Sequence, residues 1–397
     1  MDWMRRLSEA LWSEQFWLPA NVTWEHLKST STKAYPDFYA LMYPIPLAVV
    51  IFLVRQLVEK FIYEPLGKSL NIPNRRPEPP KSNAQLETAF QASKHPSDAQ
   101  ILALAKRCDM SERQVLRWFR HRNGIRKGQL TQLDKFKETG WRFTFYLTIF
   151  LYGLWALWDK PWLTDGNAYW KGYPFQTVSS DVWWYYMLEL GFYWSLLISQ
   201  FTDVKRKDFW EMFLHHIVTI SLMVFSWTDN TIRIGSMVLI IHDSVDFWLE
   251  GAKLARYAKK TRLSAVVFAI FATVWIFTRL GLYPYRILSY SFPCPLGDLC
   301  FPAFHLYNAL LGSLQILHVF WTFTIIRVIY RALTTGETED VRSDTEESDN
   351  GYSDTEVTPE HGDGITSPPE KKITSNGNGV VSTGRGSGDV ATELNHS

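Results

Sequence analysis

Seven apolar segments, each long enough to cross a bilayer as a helix, recur along the sequence between polar connections. They cover residues 41–61, 141–158, 182–201, 209–227, 232–249, 263–283 and 304–328. A helix of about 20 apolar residues spans the hydrocarbon core of a membrane. The pattern predicts an all-α polytopic membrane protein with about seven transmembrane helices, in which a first helix at 41–61 precedes a six-helix domain at 141–331.

Basic residues concentrate in two of the short connections, and this bias predicts the orientation of the chain. Lys205, Arg206 and Lys207 follow the third apolar segment, and five cations in residues 253–262 follow the fifth. The alternate connections carry few cations. Because Lys and Arg favour the cytosolic side of membranes, we expect residues 1–40 to be lumenal and the C terminus to be cytosolic.

Two features of the sequence depend on a lumenal location. Asn21 begins the glycosylation sequence Asn21-Val22-Thr23. Cys294 and Cys300 flank a short loop before the last apolar segment, where they would close a small disulfide in an oxidising lumen; two free thiols are the alternative. The chain has only three cysteines, which excludes a disulfide scaffold and a CxxC metal site.

The fourth and fifth apolar segments carry titratable residues that hydrocarbon disfavours. His215 and His216 lie within KRKDFWEMFLHHIVTISLMVFSW, and His242, Asp243 and Asp246 lie within RIGSMVLIIHDSVDFWLEGAKLARYAKK. Counted from the flanking lysines at 1.5 Å per residue, His215 and Asp243 lie roughly 12 and 15 Å from the same side. Antiparallel neighbours would therefore hold an imidazole and a carboxylate at similar depths.

The spacing of these residues predicts how they are directed. Asp243 and Asp246 are three residues apart and share a helix face, whereas the adjacent His215 and His216 point about 100° apart. The alternative interpretation is a set of satisfied core histidines and a solvated carboxylate pair, with His242 only lining a cavity or bonding locally. We favour a functional site, because charge at membrane depth is rare and usually faces the protein interior.

Composition agrees with a membrane protein that carries soluble segments. Aromatic residues make up 15% of the 397 residues, and 18 of them are Trp. Trp and Tyr collect at membrane interfaces, which favours a polytopic membrane protein over a globular enzyme. The net charge of +1 does not indicate a class of partner.

A soluble insertion separates the first two apolar segments, at about residues 74–139. It begins with the Pro-rich linker NRRPEPPK and ends with the helical pattern MSERQVLRWFRHRNG, in which Ser111 is a predicted N-cap and Gly124 a predicted helix end. This last pattern resembles the third helix of a homeodomain, with Trp118 and Phe119 as its core pair. His121 stands where homeodomains carry an adenine-binding Asn, so nucleic acid is not an expected partner.

Six cations make the end of the insertion strongly basic: Arg113, Arg117, Arg120, Arg122, Arg126 and Lys127. Such a surface suits DNA phosphates, anionic lipid headgroups or a phosphorylated substrate. A solvated basic face without a ligand is the alternative, because attraction to phosphate alone carries no specificity.

The last residues, 334–397, form an acidic tail rich in Ser and Thr. Their few apolar residues cannot offset the entropy of ordering, so we predict a disordered cytosolic tail. Ser343, Thr345, Ser348 and Ser353 precede acidic residues and are candidate sites for an acidophilic kinase. An unmodified acidic tail is the alternative.

Paired histidines and carboxylates inside a helical bundle, open towards a basic rim, suggest acyl or proton transfer on a lipid. Metal binding is disfavoured, because adjacent histidines on one helix cannot both easily reach one ion. Two other classes stay open from the residues alone. One is a proton-coupled lipid carrier, since carriers also bury Asp and His; the other is a membrane-tethered DNA-binding regulator.

Two sequence motifs carry a family resemblance. The stretches FYWSLLISQFTDVKRKDFWEMFLHHIVT and LIIHDSVDFWLEGAKLARYAK, together with the seven spans and the homeodomain-like insertion, resemble the ceramide synthases, the longevity-assurance homologues. The resemblance extends to about Arg331. It implies a multi-pass enzyme of the endoplasmic reticulum membrane that transfers a fatty acyl group from acyl-CoA to sphinganine or sphingosine, giving (dihydro)ceramide without a cofactor or a metal.

The resemblance also implies the roles of individual residues. His215, His216, Asp243 and Asp246 match the family's catalytic residues, and His242 is a further candidate substrate contact. In one route a histidine is the general base for direct transfer, with Asp243 or Asp246 orienting it. In the other route His215 forms an acyl-imidazole and His216 serves as the base for the amine. The second route is our working hypothesis, although the sequence does not rank the two.

The implied partners are fatty acyl-CoA, a long-chain sphingoid base, membrane lipid, and a second synthase in a homo- or heterodimer. Lys205, Arg206 and Lys207 are candidate contacts for the CoA phosphates, unless their role is only topogenic. In this family the loop before the last span is tied to the choice of acyl chain length. Here that loop covers residues 291–305, and its cysteine pair does not indicate a preferred chain.

Overall fold

The computed structural model describes residues 3, 12–75, 82–94, 96–126, 130–202, 208–292, 294, 297 and 300–335. Within these ranges the chain contains no β-strand, which confirms the all-helical prediction for them. The α-helices are α1 (Glu14–Trp17), α2 (Pro44–Val58), α3 (Glu64–Ser69), α4 (Ala84–Ala92), α5 (Asp98–Cys108), α6 (Glu112–Arg126), α7 (Gln132–Leu157), α8 (Ser180–Thr202), α9 (Phe209–Thr228), α10 (Ile232–Tyr257), α11 (Thr261–Trp275), α12 (Ser289–Ser291) and α13 (Pro302–Thr335). Short 3₁₀ turns lie at Trp24–Leu27, Phe38–Met42, Pro161–Leu163 and Gly166–Tyr169.

Among the described residues, four helical stretches are long and apolar enough to cross a membrane by length and composition. They are Phe38–Ser69, Phe209–Thr228, Thr261–Ser291 and Pro302–Thr334. Helices α7, α8 and α10 coincide with three further apolar segments and have 26, 23 and 26 residues, or roughly 35–39 Å. They carry acidic residues such as Glu189 and Glu250, which are buried inside the bundle and lower the mean hydropathy of these helices.

Helix α7 begins at a capping box that also marks where the insertion rejoins the bundle. The hydroxyl of Thr131 accepts the backbone N–H of Asp134 at 3.0 Å, and the Asp134 carboxylate accepts the N–H of Thr131 at 3.3 Å. The N–H of Leu133 donates to the carbonyl of Pro73 at 3.2 Å. The chain therefore leaves the bundle for the insertion and returns to it at one place.

The bundle is built from closely packed helix pairs. Helix α10 packs along α7 and α11, α9 packs along α8 and α13, and α2 packs along α8. Gly153 permits part of this packing, because a Cβ there would lie 2.7 Å from the ring of Tyr185 and 2.9 Å from Ile240. Tyr185, Trp227 and Tyr283 are fully buried in the resulting core.

The long helix that starts as α11 contains two π-helical turns, Ile276–Leu282 and Pro284–Leu288. Pro284 has no N–H to donate and its ring crowds the preceding turn, which accounts for a widened helix at that point. Widened turns of this kind often occur at functional sites. The first of them carries Arg279, whose side chain is only 2% exposed.

The insertion forms its own three-helix unit from α4, α5 and α6. Its core consists of Leu86, Phe90, Ile101, Leu104, Ala105, Val115, Trp118 and Phe119. The Ser111 hydroxyl accepts the N–H of Gln114 at 3.2 Å, as expected of the predicted N-cap. The predicted end at Gly124 is wrong, because α6 continues to Arg126. Good helix formation by the arginines on either side of this glycine outweighs its intrinsic cost.

Candidate active site

A cavity of about 830 Å³ lies among α2, α7, α8, α9, α10, α11 and α13. Most of its wall is apolar or aromatic. Its polar lining includes His215, His216, His242, Asp246, Arg279 and His318. On α9 the lining residues come from the half that adjoins residues 205–207, and on α10 they lie between His242 and Arg256. The cavity therefore extends from the middle of the bundle towards the end that the charge bias predicts to be cytosolic.

The adjacent histidines of α9 have different surroundings, as their spacing predicts. His216 is 5% exposed, and its Nδ1 lies 2.8 Å from Oε1 of Gln200 on α8. Because an amide oxygen only accepts, His216 Nδ1 carries the hydrogen, and its Nε2 is left with the lone pair that a general base requires. Gln200 thus fixes the tautomer and the orientation of this ring.

His215 has an aromatic environment instead. Its ring centroid lies 5.4 Å from Trp321, nearly perpendicular to it, and 6.3 Å from Tyr193. Tyr193 also lies 6.2 Å from His216, so one tyrosine ring of α8 packs against both imidazoles. His215 Nδ1 is buried and has no hydrogen-bond partner within the part of the chain that the structure describes. This nitrogen is free to meet a ligand.

Asp243 turns away from the cavity into the packing of α10 against α7 and α8. It is 2% exposed, and its Oδ2 accepts the hydroxyl hydrogen of Tyr185 at 2.5 Å. The carboxyl of Glu189 lies beside it. From the sequence, Asp243 or Asp246 was expected to orient a catalytic imidazole. Among the hydrogen bonds of the described residues, neither aspartate takes that place, and Gln200 does so for His216.

Asp246 faces the cavity and lies 3.8 Å from the guanidinium of Arg279. Arg279 also donates to the carbonyls of Ile241 and His242, at 2.7 and 2.9 Å. Its guanidinium lies 5.2 Å from the ring centroid of Trp275, in cation–π contact. These contacts hold the turn of α10 that carries His242, Asp243 and Asp246 against Arg279.

His242 lines the cavity, and its Nδ1 forms a hydrogen bond of 2.6 Å with the carbonyl oxygen of Val238, one turn earlier on the same helix. Its Nε2 meets Nε2 of His318 on α13 at 3.0 Å. His318, Arg279 and Gln200 were not predicted from the sequence. His318 and Arg279 carried a usable signal, because each is an ionisable residue inside an apolar segment. Gln200 carried none, since a Gln near a helix end is ordinary.

The rim of the cavity carries basic side chains. Arg142 on α7 and Lys253 and Arg256 on α10 line it. Lys253 pairs with Glu250 at 2.8 Å, and Arg142 pairs with Glu138 one turn before it. Three cations therefore lie at the rim, and two of them are paired with glutamates.

Several predicted sites fall outside the described residues. They are the CoA-contact candidates Lys205, Arg206 and Lys207 and the candidate kinase sites Ser343, Thr345, Ser348 and Ser353.

Two predicted sites outside the cavity can be placed. Asn21 is exposed and lies in a turn with a φ of 68°, in the left-handed region that Asn tolerates. The structure joins Cys294 and Cys300 in a disulfide, with their Cα atoms 6.3 Å apart. In the ranges that the structure covers, no three His, Cys, Asp or Glu side chains are grouped to hold a metal ion.

Comparison with family models defines the class of the protein. A TLC domain model matches residues 135–327, which include every helix of the cavity except α2. A homeodomain model matches residues 73–124, which lie in the insertion. With its candidate membrane helices, the chain is a multi-pass membrane protein of the TLC class that carries a homeodomain-like insertion.

Similar proteins of known name narrow this class. Ceramide synthase 5 of Homo sapiens is 44% identical over 347 residues, covering 85% of this chain and 87% of that protein. Ceramide synthase 4 of Homo sapiens is 41% identical over 345 residues, covering 86% and 87%. Ceramide synthase hyl-1 of Caenorhabditis elegans is 34% identical over 348 residues, covering 84% and 83%. The chain belongs to the ceramide synthase family, which confirms the resemblance seen in its sequence.

Proposed function

We propose that this protein transfers a fatty acyl group from acyl-CoA to the amine of a sphingoid base, giving ceramide or dihydroceramide. The observation that carries the proposal is the histidine pair at the inner end of an apolar-walled cavity with a basic rim, in a chain 44% identical to a ceramide synthase. The cavity suits both substrates, because each joins a long hydrocarbon chain to a polar head. CoA itself carries several negative charges, which the basic rim would attract.

The chemistry requires a base, a place for the developing oxyanion, and the exclusion of water. His216 Nε2 is the candidate base, since Gln200 holds the hydrogen on Nδ1. Arg279 lies 3.8 Å from Asp246 and holds that carboxylate in place in the cavity wall. Aromatic and aliphatic walls exclude water from the thioester, which would otherwise be lost to hydrolysis.

Two routes from thioester to amide remain open. In direct transfer the amine, deprotonated by His216, attacks the thioester carbonyl and the CoA thiolate leaves with a proton. In the two-step route a nitrogen of His215 attacks first, the C–S bond breaks, and the amine then displaces the imidazole. The unpartnered Nδ1 of His215 favours the second route. Release of CoA from acyl-CoA without amine would support it, and absence of that release in a single turnover would exclude it.

The acyl chain would run from the histidines towards the opposite end of the bundle. A smaller cavity of about 50 Å³ shares Tyr193 and His242 with the main one and reaches Ser291, where the loop tied to chain length begins. A chain entering it would end near that loop. An assay of the purified protein with acyl-CoA substrates of several chain lengths measures the preferred length.

We also propose seven crossings in the endoplasmic reticulum membrane, with the N terminus lumenal and the C terminus cytosolic. Seven long helices coincide with the seven apolar segments, which supports this count. On this topology residues 1–40 are lumenal, the insertion at 74–139 is cytosolic, and the tail at 334–397 is cytosolic. An Asn21→Gln variant that loses a glycosidase-sensitive mass would place the N terminus in the lumen; an unchanged mass would count against glycosylation there.

Purified full-length protein, given sphinganine and a panel of acyl-CoA lengths, tests the proposed function. Formation of dihydroceramide with one CoA released per product is the expected result. Movement of an unmodified lipid across vesicle membranes, without product, would identify a proton-coupled carrier instead. Sequence-specific retention on duplex DNA at moderate salt would identify a DNA-binding regulator, a function that the homeodomain match favours and His121 disfavours.

A further inference from the structure

One ring nitrogen of His318 has no partner among the described residues. The residue lies on α13 in the wall of the main cavity and is 1% exposed. Its Nε2 lies 3.0 Å from Nε2 of His242. Its Nδ1 is buried and has no hydrogen-bond partner within the described ranges. A buried polar atom without a partner is costly, which makes this nitrogen a candidate contact for a ligand.

The hydrogen-bond chemistry of His242 fixes which hydrogen His318 carries. The carbonyl of Val238 can only accept, so His242 Nδ1, 2.6 Å away, carries the hydrogen of that ring. Arg279 already places a positive charge against the same turn, through its bond to the His242 carbonyl at 2.9 Å, and a second cation beside it would be repelled. The neutral ring of His242 therefore has its lone pair on Nε2.

The lone pair of His242 in turn fixes the tautomer of its partner. Two lone pairs cannot face each other at 3.0 Å, so His318 Nε2 donates its N–H to His242. Nδ1 of His318 is then an acceptor. It lies in the cavity wall, and only a ligand group that donates an N–H or O–H can satisfy it.

We propose that His318 Nδ1 accepts a hydrogen bond from a hydroxyl group of the sphingoid base and so contributes to recognition of its amino-diol head. This inference rests on the proposed function. The thioester and the hydrocarbon chain of acyl-CoA carry no donor, and the nearest N–H of CoA lies two methylene groups beyond the sulfur, towards the basic rim. The head of the base carries an amine and two hydroxyls. The amine must reach the catalytic base, which leaves a hydroxyl for His318.

The position of His318 relative to the reacting histidines agrees with this assignment. Trp321 lies one helical turn beyond His318 on α13, and its ring packs 5.4 Å from His215. The ring centroid of Trp275 lies 6.2 Å from that of His318 and 6.4 Å from that of Trp321. The three rings therefore form one continuous part of the cavity wall. A head group held by His318 would thus lie on the same wall as the acyl-transfer site.

Two substitutions separate the two nitrogens of the ring. His318→Gln places an amide nitrogen near the position of Nε2, which keeps a donor for His242 but removes the acceptor at Nδ1. His318→Asn places an oxygen near the position of Nδ1, which keeps the acceptor but removes the bond to His242. Each variant is the matched control for the other.

The experiment measures kcat/KM of purified full-length protein for sphinganine, 1-deoxysphinganine and 3-deoxysphinganine, with one acyl-CoA. We expect the wild type to prefer sphinganine over one of the deoxy analogues by about two- to tenfold, the value of one hydrogen bond. His318→Gln should lose that preference while KM for acyl-CoA stays unchanged. His318→Asn should keep it.

The possible results are distinct from one another. Discrimination by His318→Gln equal to that of the wild type would overturn the inference, as would its loss in a folded His318→Asn. An equal loss of activity towards all three bases would also overturn it, because a purely structural role has that effect. Thermal unfolding in detergent checks the folding of each variant. Failure of the wild type to acylate any base would refute the proposed function itself, before His318 is tested.

Discussion

The insertion and the helical bundle distribute their side chains in opposite ways. In the insertion Leu86 and Val115 are completely buried, while Arg113 is exposed, as in a water-soluble domain. In the bundle Arg279 is 2% exposed, while Leu53 on α2 is 56% exposed. The same rule produces both arrangements, because each surface matches its solvent, which is water for the insertion and lipid for the bundle.

A charged side chain is therefore an ordinary surface group in the insertion, whereas in the bundle it is a candidate functional residue. Glu87 and Arg122 of the insertion pair at 2.7 Å near its surface, where a hydrogen bond from Arg122 lowers the pKa of Glu87 below its ordinary value. Such pairs contribute little to stability. In the bundle, the guanidinium of Arg279 is almost completely removed from water, at a large desolvation cost, beside the half-buried carboxylate of Asp246. Residues kept there at that cost indicate function, and four predictions test whether the contrast holds.

The largest effect is expected at the histidine pair of the cavity. His215→Ala or His216→Ala should lower ceramide formation by up to about 10⁴-fold, because each removes a group that acts on the reacting atoms. The measurement is the rate of product formation by purified protein at matched abundance. His26→Ala, at an exposed histidine of the N-terminal segment, is the control and should leave the rate unchanged. Rates within a few-fold of the wild type for both cavity variants would refute the site.

The next effect concerns the stability of the bundle. Arg279→Met should lower the free energy of unfolding by about 3–5 kcal/mol, because it leaves Asp246 and two carbonyls without their buried partner. Thermal unfolding in detergent measures it. Combining this change with Asp246→Asn should restore part of the loss, since the remaining partner is then neutral. Strictly additive losses would show that the two side chains are not coupled.

A smaller and local effect is expected in the core of the insertion. Trp118 packs 6.1 Å from Phe90 and 5.4 Å from Phe119, so Trp118→Ala should cost about 3 kcal/mol or more within a small core. Hydrogen exchange of the full-length protein should become faster in residues 84–126 and stay unchanged in α9 and α10. Measurable acyl transfer should persist. Its complete loss would mean that the insertion positions the bundle.

The smallest effect is expected for the exposed ion pair. The pKa of Glu87 is lowered in the folded insertion, so its contribution is present above the ordinary pKa of 4.5 and is lost as the pH falls through the folded value. Glu87→Gln should therefore slightly speed hydrogen exchange of the insertion at pH 7, and this effect should shrink as the pH falls below 4.5. An effect that grows on acidification would contradict this sign.

The sequence predicted the helices and the polar residues of the site because both follow from strong local signals. Apolar length marks a helix in a membrane, and His or Asp inside such a length is rare enough to be noticed. The same signal was present for Arg279 and His318 and was overlooked. Each stands alone among mostly apolar neighbours, whereas His215 and His242 are each adjacent to a second titratable residue.

Contacts between distant helices could not be predicted in this way. Depth counted along α9 and α10 suggested that histidine and aspartate would meet, but α10 packs mainly against α7 and α11, and Asp243 bonds to Tyr185. Gln200 orients His216 because of how α8 packs on α9. Which residue faces which neighbour depends on helix rotation and packing, which the spacing along one helix does not determine.

Photo-crosslinking tests most directly whether the substrate occupies the histidine-lined cavity. A sphinganine analogue with a photoactivatable group beside its amino-diol head would be irradiated with the purified protein, and the modified peptides mapped by mass spectrometry. We predict adducts at cavity residues of α9, α10 and α13, around His215, His242 and His318, that disappear with excess sphinganine. Adducts confined to outward-facing residues of α2, such as Val50 and Leu53, would contradict the account.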